Sequence, residues 1–587
     1  MHDSEDVRTL GGMDENEPSC ATAPTISVAE AWLRLLKKRG VDYLFGNAGT
    51  DFPSIIEAFA RLSASGAMLP KPVLAPHENA AVGMAHGYAM VTGRPQAVMV
   101  HVSVGTANAL AGMMNASREG VPMLVTAGRT PILEGGAPGA RSSAIHWAQE
   151  MFDQAGIVRE MVRWDYELRD PRQLTTVVDR ALAIASSTPR GPVYVSLPRE
   201  VLAEEAPAGA VTDTPRIRPA APPAPHAGEV ERAASLLADA QRPLVIATRL
   251  GADPAAVEAL AGFAERHALP VVDYRPRYLN LPAAHPMHAG FELTPWISEA
   301  DAILVLDSDV PWVPDGLAPA PDCRVIQVGH DPLFSRYPIR GFTSDISIAA
   351  DPVAVIRALD TAMAERLAGQ EALVEARRAR IVARGKAVRE AVEGRILRAH
   401  RAAPMGRAWI SRCIAQALDP DAIIVNEYPF LPEAGGLSRP GQYFASSSAS
   451  GLGWGLPAAL GVQLADRSRL VVATLGDGAY MFANPTACHQ IAQAYDLPVL
   501  TVVYNNAEWG AVRKATTAMY PVGHAARANT LPFVSLFPPP AYETLVQASG
   551  GYGERVERAE DLPDALTRAI AVSRTERRQA LLNVLCE

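Results

Sequence analysis

Residues 470–509 contain two apolar runs separated by a helix-length stretch, and each run ends in oxygen-bearing side chains suited to a hard cation or a phosphate. The first, 470–475, runs into Gly476-Asp477-Gly478; the second, 499–504, runs into Asn505-Asn506 and then Ala507-Glu508-Trp509. Short apolar runs bounded by turn residues read as buried strands. Parallel strands joined by a crossover helix set their carboxyl ends side by side, at the crevice where open α/β sheets bind ligands. A βαβ unit is therefore expected here, with Asp477 and Asn506 converging. Magnesium suits such donors, because it takes one or two carboxylates and fills its shell with water and phosphate oxygens. Gly476 and Gly478 would let the backbone approach a phosphate without Cβ hindrance. An ordinary βα turn is the alternative for Gly-Asp-Gly alone; the asparagine pair one βα unit later makes the pattern more specific.

At 587 residues the chain is too long for one core, and its length corresponds to roughly three or four domains. Apolar residues make up 48% and charged residues 20%, the composition of a globular protein with large cores. The net charge is -9 and no basic block stands out, which speaks against nucleic acid or an anionic membrane surface as partner. The acidic, polar start is the opposite of a secretory or transit leader, and residues 1–24 read as a disordered tail. No apolar run reaches the length of a membrane span. Cys20, Cys323, Cys413, Cys488 and Cys586 are scattered, without a CxxC pair, as expected of reduced thiols in a cytoplasmic protein with no zinc framework.

Strand and helix signals alternate from the start of the ordered sequence. Ser27 and Glu30 form a capping box at the head of a helix. Strands are expected at 41–45, 73–75, 97–102 and 122–126, with turns at 46–51 and 103–106 and helices at 55–62, 80–92 and 107–117. Such alternation means a parallel sheet covered by helices. The first block spans 25–205; prolines crowd 206–228, which reads as an extended linker. A second α/β block covers 229–365, the Ala/Arg/Glu-rich stretch 366–403 reads as a helical connector, and a third α/β block covers 404–587.

Three further features are candidates for chemistry. Glu78 follows Pro76 and His77 at a helix start, where a carboxylate equally serves the helix dipole. His101 stands at a strand's carboxyl end, open to a structural or a catalytic role. The Ser/Gly-rich loop 446–455 is either a flexible connector or a place of close backbone approach to a cofactor.

Taken in order, Pro76-His77-Glu78-Asn79-Ala80-Ala81, His86-Gly87-Tyr88-Ala89, Thr92-Gly93-Arg94-Pro95, Gly451-Leu452-Gly453-Trp454-Gly455-Leu456-Pro457-Ala458-Ala459, Gly476-Asp477-Gly478 and Asn505-Asn506 resemble the thiamine-diphosphate enzymes of the acetohydroxyacid synthase, benzoylformate decarboxylase and pyruvate oxidase group. The resemblance runs from about residue 25 to 580. It implies an α/β fold of three doubly wound parallel-sheet domains, pyrimidine-binding, central and diphosphate-binding. It also implies a homodimer or homotetramer whose active site lies at the subunit interface. By the same resemblance, Glu78 bonds the aminopyrimidine of thiamine diphosphate, and Asp477, Asn506 and the backbone carbonyl of Glu508 hold Mg2+. Gly451, Leu452, Gly453, Gly476, Gly478 and Ala479 would line the cofactor, with Leu452 wedging it into its bent shape. Gly46-Asn47-Ala48-Gly49-Thr50 and the segment 100–109 resemble benzoylformate decarboxylase, which makes Asn47, Thr50 and His101 substrate-binding candidates and His101 a proton relay.

The implied reaction is loss of carbon dioxide from a small 2-oxo acid, leaving an enamine that is protonated by a decarboxylase or added to a second carbonyl by a carboligase. Alternatives are an acetohydroxyacid synthase catalytic subunit and a non-catalytic cofactor-binding homologue. Ser103-Val104-Gly105-Thr106 and Arg129 depart from the synthase pattern, and 310–314 lacks the second histidine of benzoylformate decarboxylase. Residues 480–484 read as a short loop insertion. In the central block Arg249 and Leu250 stand where a flavin diphosphate needs glycines, so no FAD is expected.

Overall fold

The computed structural model describes residues 25–587; the expected tail 1–24 and Cys20 lie outside them. Among the described residues three sheets are present, with six, five and six strands, and every pairing is parallel. The α/β class and the three doubly wound sheets are as expected. The N-terminal sheet has the spatial order Lys71–Leu74, Tyr43–Gly46, Gln96–Val100, Met123–Arg129, Pro192–Pro198, Asp165–Glu167. The central sheet runs Ile346–Ala349, Arg324–Gly329, Ala302–Leu306, Pro243–Ala247, Val271–Asp273. The C-terminal sheet runs Tyr443–Ala445, Ile423–Glu427, Val471–Gly476, Leu500–Asn505, Ala580–Leu585, Tyr552–Val556. Central strands such as Gln96–Val100 and Leu500–Asn505 are buried at every position, because helices cover both faces.

Each order reverses direction beside its first strand, the six-stranded sheets turning back once more at their far edge, and ligands of such sheets bind outside the strand ends at the first of these reversals. In the N-terminal sheet the reversal falls between Tyr43–Gly46 and Gln96–Val100, so Asn47 and His101 flank it. In the C-terminal sheet it falls between Ile423–Glu427 and Val471–Gly476, so Glu427 and Asp477 flank it. At the central sheet's reversal a cavity of about 1000 Å3 opens towards the N-terminal domain. There the Arg249 guanidinium is 2.8 Å from Asp307 and stacks over Phe334.

Helix Glu78–Thr92 of the first domain lies directly on helix Gly455–Ala465 of the third. A Cβ on Gly87 would fall 2.0 Å from the Ala458 carbonyl oxygen, and one on Gly461 2.0 Å from that of Met84. Neither backbone can yield without separating the helices. Gly87→Ala is therefore expected to destabilise the fold by about 2 kcal/mol, read as a lower denaturation midpoint; an unchanged midpoint would show that the interface is soft.

Two local expectations are corrected. Residues 103–106 are no turn: the strand ends at Val100, and helix Val102–Glu119 starts immediately after His101. The stretch 480–484 is no loop either, since helix Asp477–Phe482 begins straight from the strand end and only Ala483 and Asn484 separate it from helix Pro485–Ala494. The capping box is formed, with Ser27 Oγ accepting from Glu30 N–H and Glu30 accepting from Ser27 N–H. Among the described residues no helix is long and apolar enough to cross a membrane.

Candidate active site

Glu78 opens its helix behind the N-cap His77 and is buried. Both carboxylate oxygens are taken up by amides: Asn47 Nδ2 donates to Oε1 at 2.9 Å and Asn108 Nδ2 to Oε2 at 3.1 Å. Gly105 explains part of the Ser-Val-Gly-Thr run, because a Cβ there would lie 3.4 Å from Glu78 Oε1 and 3.0 Å from Val100. The small residue clears Val100, with the carboxylate at ordinary contact distance, and the helix continues through it.

His101 stands on the same wall. Its Nδ1 is 2.6 Å from Asp51 Oδ1, and Asp51 Oδ2 accepts Val102 N–H at 3.2 Å. The Asp51 hydrogen bond raises the imidazole's pKa against the opposing effect of burial, with further help from the Asp51 charge, the Gln149 side chain and Glu78. Asp51 is buried, and a Cβ on Gly128 would strike its carboxylate at 1.9 Å, so that glycine reserves the space. Thr50 meets a residue that no sequence motif pointed to: its Oγ1 is 3.4 Å from His146 Nε2. The loop carrying His146 is stapled by two arginines. Arg141 reaches the carbonyls of Pro131 and His146, and Arg199 those of Gly139, Ala140 and Thr50. Burial, then the charges of Arg199, Arg141 and His101, lowers the His146 pKa.

The C-terminal half is built on adjacent strand ends. Gly476 pairs in register with Tyr504, which puts Asp477 beside the 505–508 turn. Asp477 is buried; Oδ1 accepts Gly478 N–H at 2.8 Å, while Oδ2 has no hydrogen-bond partner. Burial raises its pKa, opposed by backbone N–H groups of Gly478, Ala507 and Glu508. Asn506 Oδ1 accepts Glu508 N–H at 3.2 Å, and the Glu508 carbonyl accepts Gly510 N–H at 2.9 Å, so each oxygen keeps a free lone pair. The Glu508 carboxylate itself is held by Arg513. A Cβ on Gly476 would meet nothing within 4 Å, whereas one on Gly478 would hit the Trp509 ring at 2.3 Å. The first glycine thus faces open space, and the second lets the tryptophan close over the helix start.

The 446–455 loop is clamped from both sides, so it is no flexible connector. Asn115 of the first domain donates to Gly451 O at 2.8 Å and accepts Gly451 N–H at 3.0 Å. Buried Glu427 accepts Gly453 N–H at 2.8 Å and Gly455 N–H at 2.6 Å, and burial pushes its carboxyl up to about 7. Gly453 takes φ +84, which permits the turn. Leu452, half-buried between these anchors, packs against the core shared by the first and third domains. Glu427 and Asn115 escaped the motif reading because neither lies in a glycine motif; each acts by holding one.

An unpartnered buried carboxylate oxygen beside an amide and a carbonyl, next to an open glycine, is a donor set that fits a magnesium–diphosphate group. The hydrogen-bond partners of Glu78 all belong to the N-terminal domain and those of Asp477 to the C-terminal domain. The fold and these two half-sites define a cofactor-dependent α/β enzyme with one half-site on each outer domain.

Three family profiles match in the same order as the sheets. They are the N-terminal TPP binding domain over residues 26–157, the central domain over 230–359, and the C-terminal TPP binding domain over 433–584 of thiamine pyrophosphate enzymes. The chain belongs to the thiamine pyrophosphate enzymes, in the group that contains decarboxylases and acetolactate synthases. It is 29% identical to sulfoacetaldehyde acetyltransferase of Rhodobacter capsulatus, covering 95% of this chain and 94% of that one. Benzoylformate decarboxylase of Pseudomonas aeruginosa is 27% identical over 83% of this chain and 87% of its own. The acetolactate synthase isozyme 3 large subunit of Escherichia coli is 26% identical over 94% and 93%. Among solved structures, the thiamine diphosphate-dependent 4-hydroxybenzoylformate decarboxylase of Rhodococcus jostii shares the fold with a TM-score of 0.75 at 24% identity, covering 96% of this chain and 99% of that one.

Proposed function

We propose that the protein is a thiamine-diphosphate- and magnesium-dependent enzyme that removes carbon dioxide from a 2-oxo acid, the remaining fragment being protonated to an aldehyde or joined to a second carbonyl. The observation that carries this reading is the juxtaposition, on one wall of the N-terminal sheet, of the doubly amide-held Glu78 with the Asp51–His101 pair. When bound, the cofactor's thiazolium supplies an electron sink for the negative charge that decarboxylation leaves on carbon.

The chain's own residues do the rest. Asp477, Asn506 and the Glu508 carbonyl would hold the magnesium, with the backbone of Gly476, Gly478 and Ala479 against the diphosphate. Gly451, Leu452 and Gly453 would carry the middle of the cofactor on a loop fixed by Asn115 and Glu427. Asn47 and Asn108 aim the Glu78 carboxylate, which would be the acid–base partner of the aminopyrimidine. Asn47, Thr50 and His101 would line the substrate's place, and the Asp51-supported imidazole supplies the proton that makes an aldehyde. Exposed apolar residues support a homodimer that completes the site: Ile132, Trp147 and Phe152 lie on the loop beside the Glu78 wall, and Phe482, Met519 and Phe533 follow the Asp477 turn. A two-fold related copy would cover one set with the other.

Both outcomes have relatives behind them: the acetolactate synthase and the sulfoacetaldehyde acetyltransferase align over 94% and 95% of the chain, and the benzoylformate decarboxylase over 83%. The deciding experiment is a panel of aliphatic and aromatic 2-oxo acids, with thiamine diphosphate and magnesium, each with and without an aldehyde acceptor. Carbon dioxide release with aldehyde as sole product is the decarboxylase result, and a product mass equal to fragment plus acceptor is the carboligase result. No carbon dioxide from any acid would refute the proposal.

A further inference from the structure

Two histidines face the Thr50 turn, and their hydrogen bonds impose different tautomers. His146 Nδ1 accepts Ser142 N–H at 3.0 Å, so that nitrogen carries no proton and the neutral ring carries it on Nε2. The contact of 3.4 Å from Nε2 to Thr50 Oγ1 therefore runs from imidazole to hydroxyl. The Thr50 proton must point elsewhere, and among the described residues Oγ1 has no other partner. His101 does the reverse: Nδ1–H goes to Asp51 at 2.6 Å, which leaves Nε2 as the nitrogen available for chemistry. The groups facing His101 are Asp51, Glu78, His146 and the amide of Gln149; those facing His146 are Arg141, Arg199, His101 and Asp51.

We propose that His146 and Asp51 are positioning residues for the two ends of the substrate: His146 makes the Thr50 hydroxyl an obligatory donor to the carboxylate of the 2-oxo acid, and Asp51 holds His101 as the proton donor, through Nε2, to the carbon that loses carbon dioxide. In that transfer the Nε2–H bond breaks and a C–H bond forms, and the ring, left neutral with Nδ1–H on Asp51, regains its proton from water. The assignment rests on the reading of the protein as a decarboxylating 2-oxo acid enzyme. His146 acts through Thr50, from a loop held by Arg141 and Arg199.

Because one arm is read without turnover, the two ideas fail separately. In protein labelled with 15N-histidine, assigned with His146→Phe and His101→Gln, His146 should show a single protonated nitrogen, Nε2, across about pH 6–8. His101 should show both nitrogens protonated at the lower end of that range. A protonated Nδ1 on His146, or a His101 that is neutral throughout, overturns the inference whatever the activity.

In the kinetic arm His146→Phe should raise KM about tenfold with kcat little changed, the loss of one hydrogen bond to a charged group. In a Thr50→Val background the same change should add nothing, and His146→Gln, which keeps an N–H donor, should restore most of the loss. Asp51→Asn should leave KM alone and move the high-pH fall of kcat to lower pH. The protonated His101 is the active form, and removing the Asp51 charge lowers the pH at which it is lost. Additive effects of His146→Phe and Thr50→Val, or an unmoved pH limb, would overturn the proposal. A wild type inert towards every 2-oxo acid would instead refute the functional reading beneath it.

Discussion

Glu78→Gln is expected to lower turnover by at least about a hundredfold, the usual scale for losing one acid–base group, while cofactor binding stays largely intact. Both carboxylate oxygens accept amide N–H groups, from Asn47 and Asn108. Glutamine can accept from only one of them, and its own NH2 then faces the other donor. The substituted side chain loses its exchangeable proton and its fixed orientation, yet it keeps its volume in a buried position. Turnover is measured at saturating thiamine diphosphate and magnesium, with cofactor affinity followed separately by fluorescence titration of the apo-protein. Near-normal kcat would sink the role given to Glu78.

The second large effect concerns the other half of the site. Asp477→Ala should abolish magnesium-dependent retention of thiamine diphosphate on gel filtration, whereas the wild type should release it only after chelator treatment. Retention by the variant equal to that of the wild type would refute the metal assignment. Asp477→Asn separates this from a folding defect. The Asp477 carboxylate is desolvated with Oδ2 unpartnered, and relieving a buried charge without a partner costs the apo-protein no stability. The apo-protein should therefore unfold no earlier than the wild-type apo-protein, while still losing metal-dependent retention.

Much of the architecture was readable because parallel sheets impose strong local signals. Continuous apolar runs such as 471–475 and 500–504 cannot alternate when both faces are covered, and the special residues at their ends stood out against them. Asp477 and Asn506 were visible for that reason. Runs of small residues were less readable. The segment 103–106 mimicked a turn, but Gly105 is small to clear Val100, and Thr106 bonds back to the Val102 carbonyl within the helix. A sequence shows that a residue is small without showing what presses against it.

Asp51 was visible only as part of a turn; its ion pair with His101 spans fifty residues and depends on the space left by Gly128. His146 lies ninety-six residues from Thr50 on a segment with no periodicity, and contacts distant in sequence, the arginine staples among them, hold it there. The role of Glu427 was hidden, because it receives N–H groups from a loop twenty-six residues away.

The glycine-to-carbonyl packing of helices Glu78–Thr92 and Gly455–Ala465 has a consequence for recombination between related chains. Since Gly87 and Gly461 each rest on the other helix's main chain, the fit depends on the relative height of two backbones, which no side chain can adjust. A chimera that takes its first domain from one parent and its third from another would inherit two helices shaped for different partners. Productive crossovers should move both helices together, so the first and third domains form one unit of inheritance although the whole central domain separates them in the chain.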